Sequence, residues 1–164
     1  MTFKGQVLTV DEMLREALSA PETNVVMGVG VRHTAADNAA FCRDLLGTRA
    51  TLDECWRFGI LQTLDDYTST VRRGGTELGA AVFTAEPPPT GDARIDSAFA
   101  ALACYLAGRD GWDPPAWTED PSRYLGDHWY PAVPGIYRNE ADEDSPPAFA
   151  DRGIFITNRS LARG

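Results

Sequence analysis

Cysteine and histidine are scarce in this 164-residue chain, and their spacing excludes two classes of protein. The three cysteines, Cys42, Cys55 and Cys104, lie far apart and form no CxxC pair. An odd number of dispersed cysteines in apolar segments argues against a disulfide framework and predicts buried, inert thiols. Neither His33 nor His128 stands at metal-ligand spacing from a cysteine. We therefore expect no metal site and no cofactor.

Long apolar runs are also missing. No stretch approaches the roughly eighteen apolar residues of a membrane span, and residues 1–10 lack the basic and apolar regions of a signal peptide. We expect a cytoplasmic protein that makes no membrane contact. Catalytic templates are absent as well: Gly28-Val-Gly30 lacks the third glycine of a dinucleotide fingerprint, and there is no GxxxxGK[ST], GxSxG or HExxH sequence.

The composition that is present belongs to a folded, acidic domain. Hydrophobic residues make up 43% of the chain, charged residues 24%, and the net charge is −9. Such a charge disfavours binding to nucleic acid, whose phosphates attract Lys and Arg, and favours a basic protein partner. The alternative is that the charge only keeps the protein soluble. The sequence leaves open whether the protein forms a homo-oligomer.

The first half of the chain carries clear helix signals. Thr9 or Asp11 can cap a helix that closes at Pro21, whereas residues 24–31 fit no single element. Thr34 predicts a helix over residues 35–46 with a stop at Gly47. Thr51, with Glu54 three residues later, forms a capping box before one apolar stripe. That stripe consists of Leu52, Cys55, Trp56, Ile60, Leu64, Tyr67 and Val71.

Glycine and proline divide the middle of the chain. Gly74-Gly75 ends or bends the long helix, residues 76–83 continue as a short helix, and three prolines at 87–89 form an extended connector. Asp92 predicts a helix over residues 93–107 that stops at Gly108. The chain from residues 1 to 164 is then one domain, and a sub-division near residues 84–92 is the alternative.

Beyond Gly108, prolines and tryptophans predict a segment that wraps a helical core instead of building its own. Near the end, Ser145 predicts an N-cap, Pro146 a first helical position and Gly153 a left-handed stop. Residues 154–156 then form a buried extended stretch, and Asn158 caps a last turn. The predicted fold class is all-α: a single-domain helical bundle wrapped by a Pro/Trp-rich C-terminal segment.

Candidate sites are few. His128, next to Asp127, is the weak candidate for acid–base chemistry, although a lone loop histidine usually has no chemical role. Asp65-Asp66 point about 100° apart on a helix and favour a solvated surface. The short connection between the helices at 35–46 and 51–71 resembles a helix-turn-helix, but the second helix opens with acids. The partner-binding candidates are the acids and aromatics Glu140, Asp142, Glu143, Asp144, Trp117 and Tyr130.

Four segments of the C-terminal half carry a family resemblance. They are residues 86–94 with their Pro-Pro-Pro-Thr-Gly-Asp entry, the apolar residues 99–106, the Trp-Asp-Pro-Pro-Ala-Trp run at 112–117, and the ending at 145–156. Together they resemble a family of small, largely uncharacterised actinobacterial helical proteins. The resemblance implies an antitoxin-like or helix-turn-helix-associated accessory role, with no catalytic residues attached to these segments.

The sequence supports three hypotheses. The first is a non-enzymatic partner-binding or regulatory protein, such as the acidic member of a toxin–antitoxin or phage-defence pair, whose acidic loop at 140–144 meets a basic protein. The second is a small enzyme that uses His128 with Asp127 or Asp120. The third is a transcriptional regulator that reads DNA through residues 52–71.

Overall fold

Helices build the part of the protein that the computed structural model describes, residues 9–12 and 30–162. The α-helices are α1 (Ala35–Gly47), α2 (Leu52–Cys55), α3 (Leu61–Ala80), α4 (Ala93–Asp110), α5 (Arg138–Asp144) and α6 (Pro147–Ala150). A π-helical turn, Trp56–Ile60, joins α2 to α3, and the 3₁₀ turns are Ala81–Phe83, Ala116–Glu119, Pro121–Arg123, Gly135–Tyr137 and Asn158–Leu161. No β-strand forms in those residues. The all-α, single-domain prediction is confirmed.

Reciprocal capping fixes the starts of the first two helices. The Thr34 hydroxyl accepts from the Asp37 N–H at 3.1 Å, and the Asp37 carboxylate accepts from the Thr34 N–H at 2.9 Å. Thr51 and Glu54 exchange the same two bonds at 3.2 and 2.7 Å. Each pair satisfies backbone donors that the first helical turn leaves without partners. The caps predicted at Thr34 and Thr51 are confirmed.

The π-helical turn lies where α1 crosses the long helix. A Cβ on Gly59 would collide with the Cys42 sulfur, so glycine allows the two backbones to approach closely. One turn further along, the buried Asn38 amide donates to the Thr63 hydroxyl at 2.9 Å. The hydroxyl in turn donates to the Gly59 carbonyl at 2.8 Å. This contact fixes the rotational position of the stripe that the sequence predicted.

A kink at Gly75 divides α3. Its φ of 81° and ψ of 178° lie in a region that residues with a Cβ rarely enter. The chain resumes helical geometry to Ala80 and then tightens into the turn Ala81–Phe83. The predicted bend at Gly74-Gly75 and the short helix after it are confirmed. The bend brings the fully buried Val82 and Phe83 back onto the core.

One hydrophobic cluster holds the described chain together. It contains Tyr67 and Phe83, which precede residues 84–92, and Phe99, Leu102 and Phe149, which come after them. All five side chains are fully buried. Because the same core contains residues from both sides of the proline connector, the described residues do not separate into two hydrophobic cores.

Helix α4 is longer than the sequence predicted. Gly108 does not end it; the helix runs to Asp110, and Gly111 adopts the left-handed conformation with its N–H donating to the Ala107 carbonyl at 2.9 Å. The prediction at Gly108 was wrong because a glycine can stay helical when the next residues gain contacts. Here Asp110 gains one, accepting from the Tyr67 hydroxyl at 2.6 Å.

The proline- and tryptophan-rich segment after Gly111, which we call the wrap, covers the bundle as predicted. The Trp112 indole N–H donates to the Tyr67 hydroxyl at 2.9 Å, and the Trp117 indole N–H donates to the Phe83 carbonyl at 3.0 Å. The Trp129 ring meets the Trp56 ring edge-on, with centroids 5.9 Å apart. Each of the two bonded indoles buries apolar surface while its polar N–H finds an acceptor.

Two buried arginines fasten the wrap. The Arg123 guanidinium donates to the carbonyls of Asp96 and Pro87 at 3.2 and 2.9 Å. The Arg152 guanidinium donates to the carbonyls of Ala148 and Thr118, both at 3.0 Å. Both side chains are 4% exposed. Arg123 thus bonds the wrap to α4 and to the proline connector, and Arg152 bonds the turn Ala116–Glu119 to the end of α6, in each case through charged donors.

The C-terminal caps lie one residue away from their predicted positions. Ser145 is not the N-cap of α6; Pro146 takes that place, and the Ser145 hydroxyl instead donates to the Ile154 carbonyl and accepts from the Ile156 N–H, both at 3.2 Å. Thr157, not Asn158, caps the last turn. The Ser145 hydroxyl is occupied by residues 154 and 156 and does not cap α6. Gly153 is left-handed, with φ of 76°, as predicted.

The extended stretch after Gly153 is also confirmed. Ile154 and Ile156 are fully buried, and a single parallel bridge pairs Trp129 with Ile154. At the other end, Thr9 and Glu12 exchange capping bonds, with the Glu12 carboxylate accepting from the Thr9 N–H at 2.8 Å. The rest of the predicted first helix, to Pro21, and residues 24–29 lie outside the described residues.

Candidate functional site

Helix α5 carries the densest negative charge of the described chain and touches the core through a single residue. Its sequence, Arg-Asn-Glu-Ala-Asp-Glu-Asp, contains four acids and one arginine. Ala141 is fully buried, whereas Asp142, Glu143 and Asp144 are exposed. The sequence predicted a loop here, and that detail was wrong: residues 138–144 are helical, with Ala141 as the buried residue of the helix.

One side of α5 holds two of the predicted partner-binding residues together. The Tyr130 hydroxyl donates to the Asp142 carboxylate at 2.7 Å, and this bond raises the pKa of Tyr130. The Arg138 guanidinium lies 5.0 Å from the centre of the Tyr130 ring, which itself stacks on Phe155. The structure thus gives Tyr130 and Asp142 a fixed geometry with respect to each other.

The other side of α5 borders an open groove of about 230 Å³. Glu140 of α5 and Tyr137 of the turn before it both line this groove. Arg159 and Ser160, from the turn Asn158–Leu161, line it as well. The complete lining is Ala132, Pro134, Tyr137, Glu140, Thr157, Arg159 and Ser160.

The groove contains free charges and a strained residue. Glu140 is half-buried, and within residues 9–12 and 30–162 its carboxylate makes no hydrogen bond or ion pair. Ala132 has a φ of 50°, a conformation that side-chain-bearing residues seldom adopt. Its N–H donates to the Asp53 carboxylate at 3.3 Å, which holds the turn against the start of α2.

Apolar side chains project next to these carboxylates. Ile136 is 84% exposed and Tyr137 is 42% exposed. Both belong to the 3₁₀ turn Gly135–Tyr137 that leads directly into α5. A protruding isoleucine and tyrosine beside a row of acids form an apolar centre with a charged border, which is the composition of a protein-binding surface. We call the surface formed by Tyr130, Ile136, Tyr137 and α5 the acidic surface.

The order of charges along α5 disfavours the helix itself. The C-terminal end of a helix has a partial negative charge, so acids in its last turn cost about 0.3–1 kcal/mol each at low ionic strength. Asp142, Glu143 and Asp144 occupy that turn, which has no basic residue. Helix stability therefore does not explain these three acids; Asp142 accepts from Tyr130, whereas Glu143 and Asp144 make no hydrogen bond or ion pair within the described residues.

Trp117 lies elsewhere. Its indole contacts the Phe83 carbonyl, and the Arg123 guanidinium lies 5.2 Å from the indole ring centre. The side chain is half-buried by these contacts. They account for Trp117 as part of the wrap, and the structure does not bring it together with Tyr130 and Asp142.

His128 and Asp127, the weak catalytic candidates, both lie at the surface. They border an open groove of about 310 Å³ with Arg94 and Trp129. The imidazole packs against the Phe155 ring, with centroids 4.5 Å apart, and within the described residues it makes no hydrogen bond to a carboxylate. Within the described residues, no carboxylate therefore orients this imidazole.

The cysteines divide into a buried pair and a more exposed one. Cys42 and Cys55 are buried, as predicted, and burial raises the pKa of Cys42 to about 12. Cys104 is only partly buried, which corrects the prediction that it is a core residue. Its sulfur accepts from the Arg152 guanidinium at 3.4 Å. Cys104 thus lies at the edge of the core, in contact with Arg152 of the wrap.

In the helix-turn-helix candidate, the residues that open the second helix make contacts within the protein itself. Glu54 is engaged in the capping box, Asp53 binds the Ala132 N–H, and Cys55 and Trp56 are buried.

Asp66 accepts from the Asn38 and Gln62 amides at 2.9 and 3.2 Å. Across the part of the chain that is described, no three His, Cys, Asp or Glu side chains converge as a metal site requires.

Sequence reasoning found the acids but missed the apolar half of the surface. Ile136 and Tyr137 come after Pro134-Gly135 and precede a polar run. The available signal was that Ile136 has no apolar residue three or four positions further along the chain, so it has little to pack against in α5. Arg159 and Ser160 could not be placed beside α5 without the tertiary structure.

Neither membrane insertion nor similarity to known proteins points to a function. Within residues 9–12 and 30–162, no helix has the length and apolar character that crossing a bilayer requires. Comparison with protein-family models, with curated proteins and with solved structures found no match.

Proposed function

We propose that this chain is a non-enzymatic, partner-binding protein whose acidic surface binds a basic protein. The setting suggested by the family resemblance is an antitoxin-like or phage-defence accessory component. The single observation that carries the proposal is the exposure of Ile136 and Tyr137 directly beside the carboxylates of α5.

The apolar part of the surface would supply affinity. Binding energy in protein interfaces concentrates in a few central side chains, among which tyrosine is enriched. Ile136 and Tyr137 belong to a 3₁₀ turn, in which the Tyr137 N–H donates to the Pro134 carbonyl at 2.9 Å, so the backbone that carries them is already ordered.

The charged part would supply speed and selectivity. A net charge of −9, with four acids on one short helix, attracts a cationic partner and repels acidic ones. A basic partner would also relieve the unfavourable charge in the last turn of α5. The same charge disfavours nucleic acid as the partner.

The test compares two charge-matched double variants in co-purification with the product of the adjacent gene. Glu143→Lys with Asp144→Lys alters the acidic surface, and Glu77→Lys with Asp113→Lys makes the same change in net charge at exposed acids elsewhere. We expect the first pair to abolish the complex at low salt and the second to leave most of it.

Equal loss in both double variants would mean that only overall charge matters, and would contradict a defined binding surface. Absence of any complex of the unmodified protein, at low and at high salt, would contradict the proposal itself. Circular dichroism of each variant checks that α5 and the bundle still fold.

A further inference from the structure

We infer that the groove beside α5 holds one arginine side chain of the basic partner, stacked on Tyr137 and paired with Glu140. This inference rests on the proposed function and specifies which side chain of the partner is recognised. It concerns the open groove of about 230 Å³ that Tyr137 and Glu140 line.

The groove offers the two groups that an arginine uses. Glu140 presents a half-buried carboxylate without a partner in the described residues, and the exposed Tyr137 lines the same groove. A guanidinium can stack flat on an aromatic ring and give two parallel N–H bonds to a carboxylate. Half-burial of Glu140 reduces the solvent screening of such a pair.

The protein uses this combination of groups within its own fold. The Arg152 guanidinium lies 4.6 Å from the centre of the Tyr124 ring, and its Nη2 is 3.3 Å from the Glu119 carboxylate. In that group of three residues, the guanidinium lies over the tyrosine ring and pairs with the glutamate carboxylate. Tyr137 and Glu140 form the same two-group set, and the arginine is the missing third member.

Lysine fits these groups less well than arginine. Its ammonium is a compact, strongly hydrated point charge that neither stacks on the ring nor forms a two-bond contact with one carboxylate. The remaining acids, Asp142, Glu143 and Asp144, are exposed, so water screens their pairing with either cation. A preference for arginine over lysine reports on the groove where Tyr137→Leu and Glu140→Gln remove it and Glu143→Gln does not, and total affinity reports on the rest of the acidic surface.

Arg159, which also lines the groove, limits what can enter. Its guanidinium has no ion pair within residues 9–12 and 30–162, so it repels an incoming cation. The groove then accepts one guanidinium beside Glu140 and disfavours a second. Replacing Arg159 with glutamine should strengthen binding of an arginine peptide, an effect that a purely structural role of Arg159 would not produce.

The test uses the full chain and two end-blocked peptides, hexa-arginine and hexa-lysine, with affinities from isothermal titration calorimetry. We expect hexa-arginine to bind about tenfold more tightly, since one stacked, paired guanidinium adds about 1.4 kcal/mol. Tyr137→Leu and Glu140→Gln should each reduce hexa-arginine binding to about the hexa-lysine level. Glu143→Gln, the matched control on the same helix, should weaken both peptides equally.

Two outcomes separate this inference from the proposed function. Equal binding of both peptides, or the same effect of Glu140→Gln and Glu143→Gln, would overturn the arginine site while the partner complex and its loss in the Glu143→Lys/Asp144→Lys variant still stand. Conversely, a clear arginine preference without any protein complex would support the arginine site in the groove and contradict the proposed function.

Discussion

Tyr67 combines complete burial with a charged neighbour. Its side chain is fully buried, its hydroxyl donates to Asp110 at 2.6 Å, and the same oxygen accepts from the Trp112 indole at 2.9 Å. Burial first, and then the bond to Asp110, raises the pKa of Tyr67 to about 12. The folded protein therefore holds this proton more tightly than the unfolded chain, in which the pKa of a tyrosine is about 10.

This shift predicts a loss of stability between about pH 10 and about pH 12. In that window the unfolded chain has released the Tyr67 proton while the folded protein retains it, so raising the pH favours unfolding. Tyr67→Phe should be less stable by about 1–2 kcal/mol below pH 10, because Asp110 and Trp112 lose a partner. The two stabilities should converge as the pH approaches 12, as measured by urea unfolding at each pH.

Tyr137→Phe is the matched control, since this phenol is exposed and makes no hydrogen bond within the described residues. Its stability should track that of the unmodified protein across the whole range. If Tyr67→Phe keeps a constant stability deficit from pH 9 to pH 12, the elevated pKa is contradicted.

Two glycines in the helices α3 and α4 should respond oppositely to the same substitution. Gly75 has φ of 81° and ψ of 178°, and a Cβ there would meet no atom within 4 Å, so Gly75→Ala costs conformational strain alone, about 1–3 kcal/mol. Gly108 is helical and exposed, also with open space, so Gly108→Ala should stabilise by about 0.5–1 kcal/mol. Urea unfolding measures both, and changes of the same sign would contradict the kink or the continuation of α4.

Local chemistry explains which elements the sequence could predict. Thr34, Thr51 and Asp92 were identified as N-caps because a short polar side chain can reach the first free N–H groups without help from the rest of the fold. The stop at Gly108 and the cap at Ser145 failed because distant residues decided them. Asp110 extends α4 through its bond to Tyr67, and the Ser145 hydroxyl is used by the buried stretch at Ile154.

The candidate site was only half predictable for the same reason. The acids of α5 are visible as composition, but exposure of Ile136 and Tyr137 depends on what the bundle leaves uncovered. Arg159, which also lines the groove, comes from a turn that the chain brings back after α6. No spacing rule relates residues 137 and 159, since their proximity depends on how the wrap closes.

At the scale of the whole molecule, the surplus of acids acts on folding and on binding in opposite directions. The described ion pairs are few, and four of the five acids in them are on residues 86–120. The carboxylates of α5 are not among them. A net charge of −9 therefore destabilises the free protein through self-repulsion, while it favours the encounter with a cationic partner.

Salt should separate these two effects. Raising the ionic strength from about 0.01 M to about 1 M shortens the screening length from about 30 Å to about 3 Å, so the Tm of the free protein should rise as self-repulsion weakens. Hexa-arginine binding should weaken over the same range. Neutralising two acids, Glu143→Gln with Asp144→Gln, should raise the low-salt Tm and reduce its salt dependence more than Asp113→Gln with Asp127→Gln, because the first pair lies at a helix C-terminus and the second pair lies in loops. Differential scanning fluorimetry measures the Tm.

A Tm that falls with added salt would mean that ion pairs such as Arg123–Glu86 stabilise the fold more than the repulsion between acids destabilises it. The acids of α5 could then no longer be regarded as a cost to folding that binding offsets.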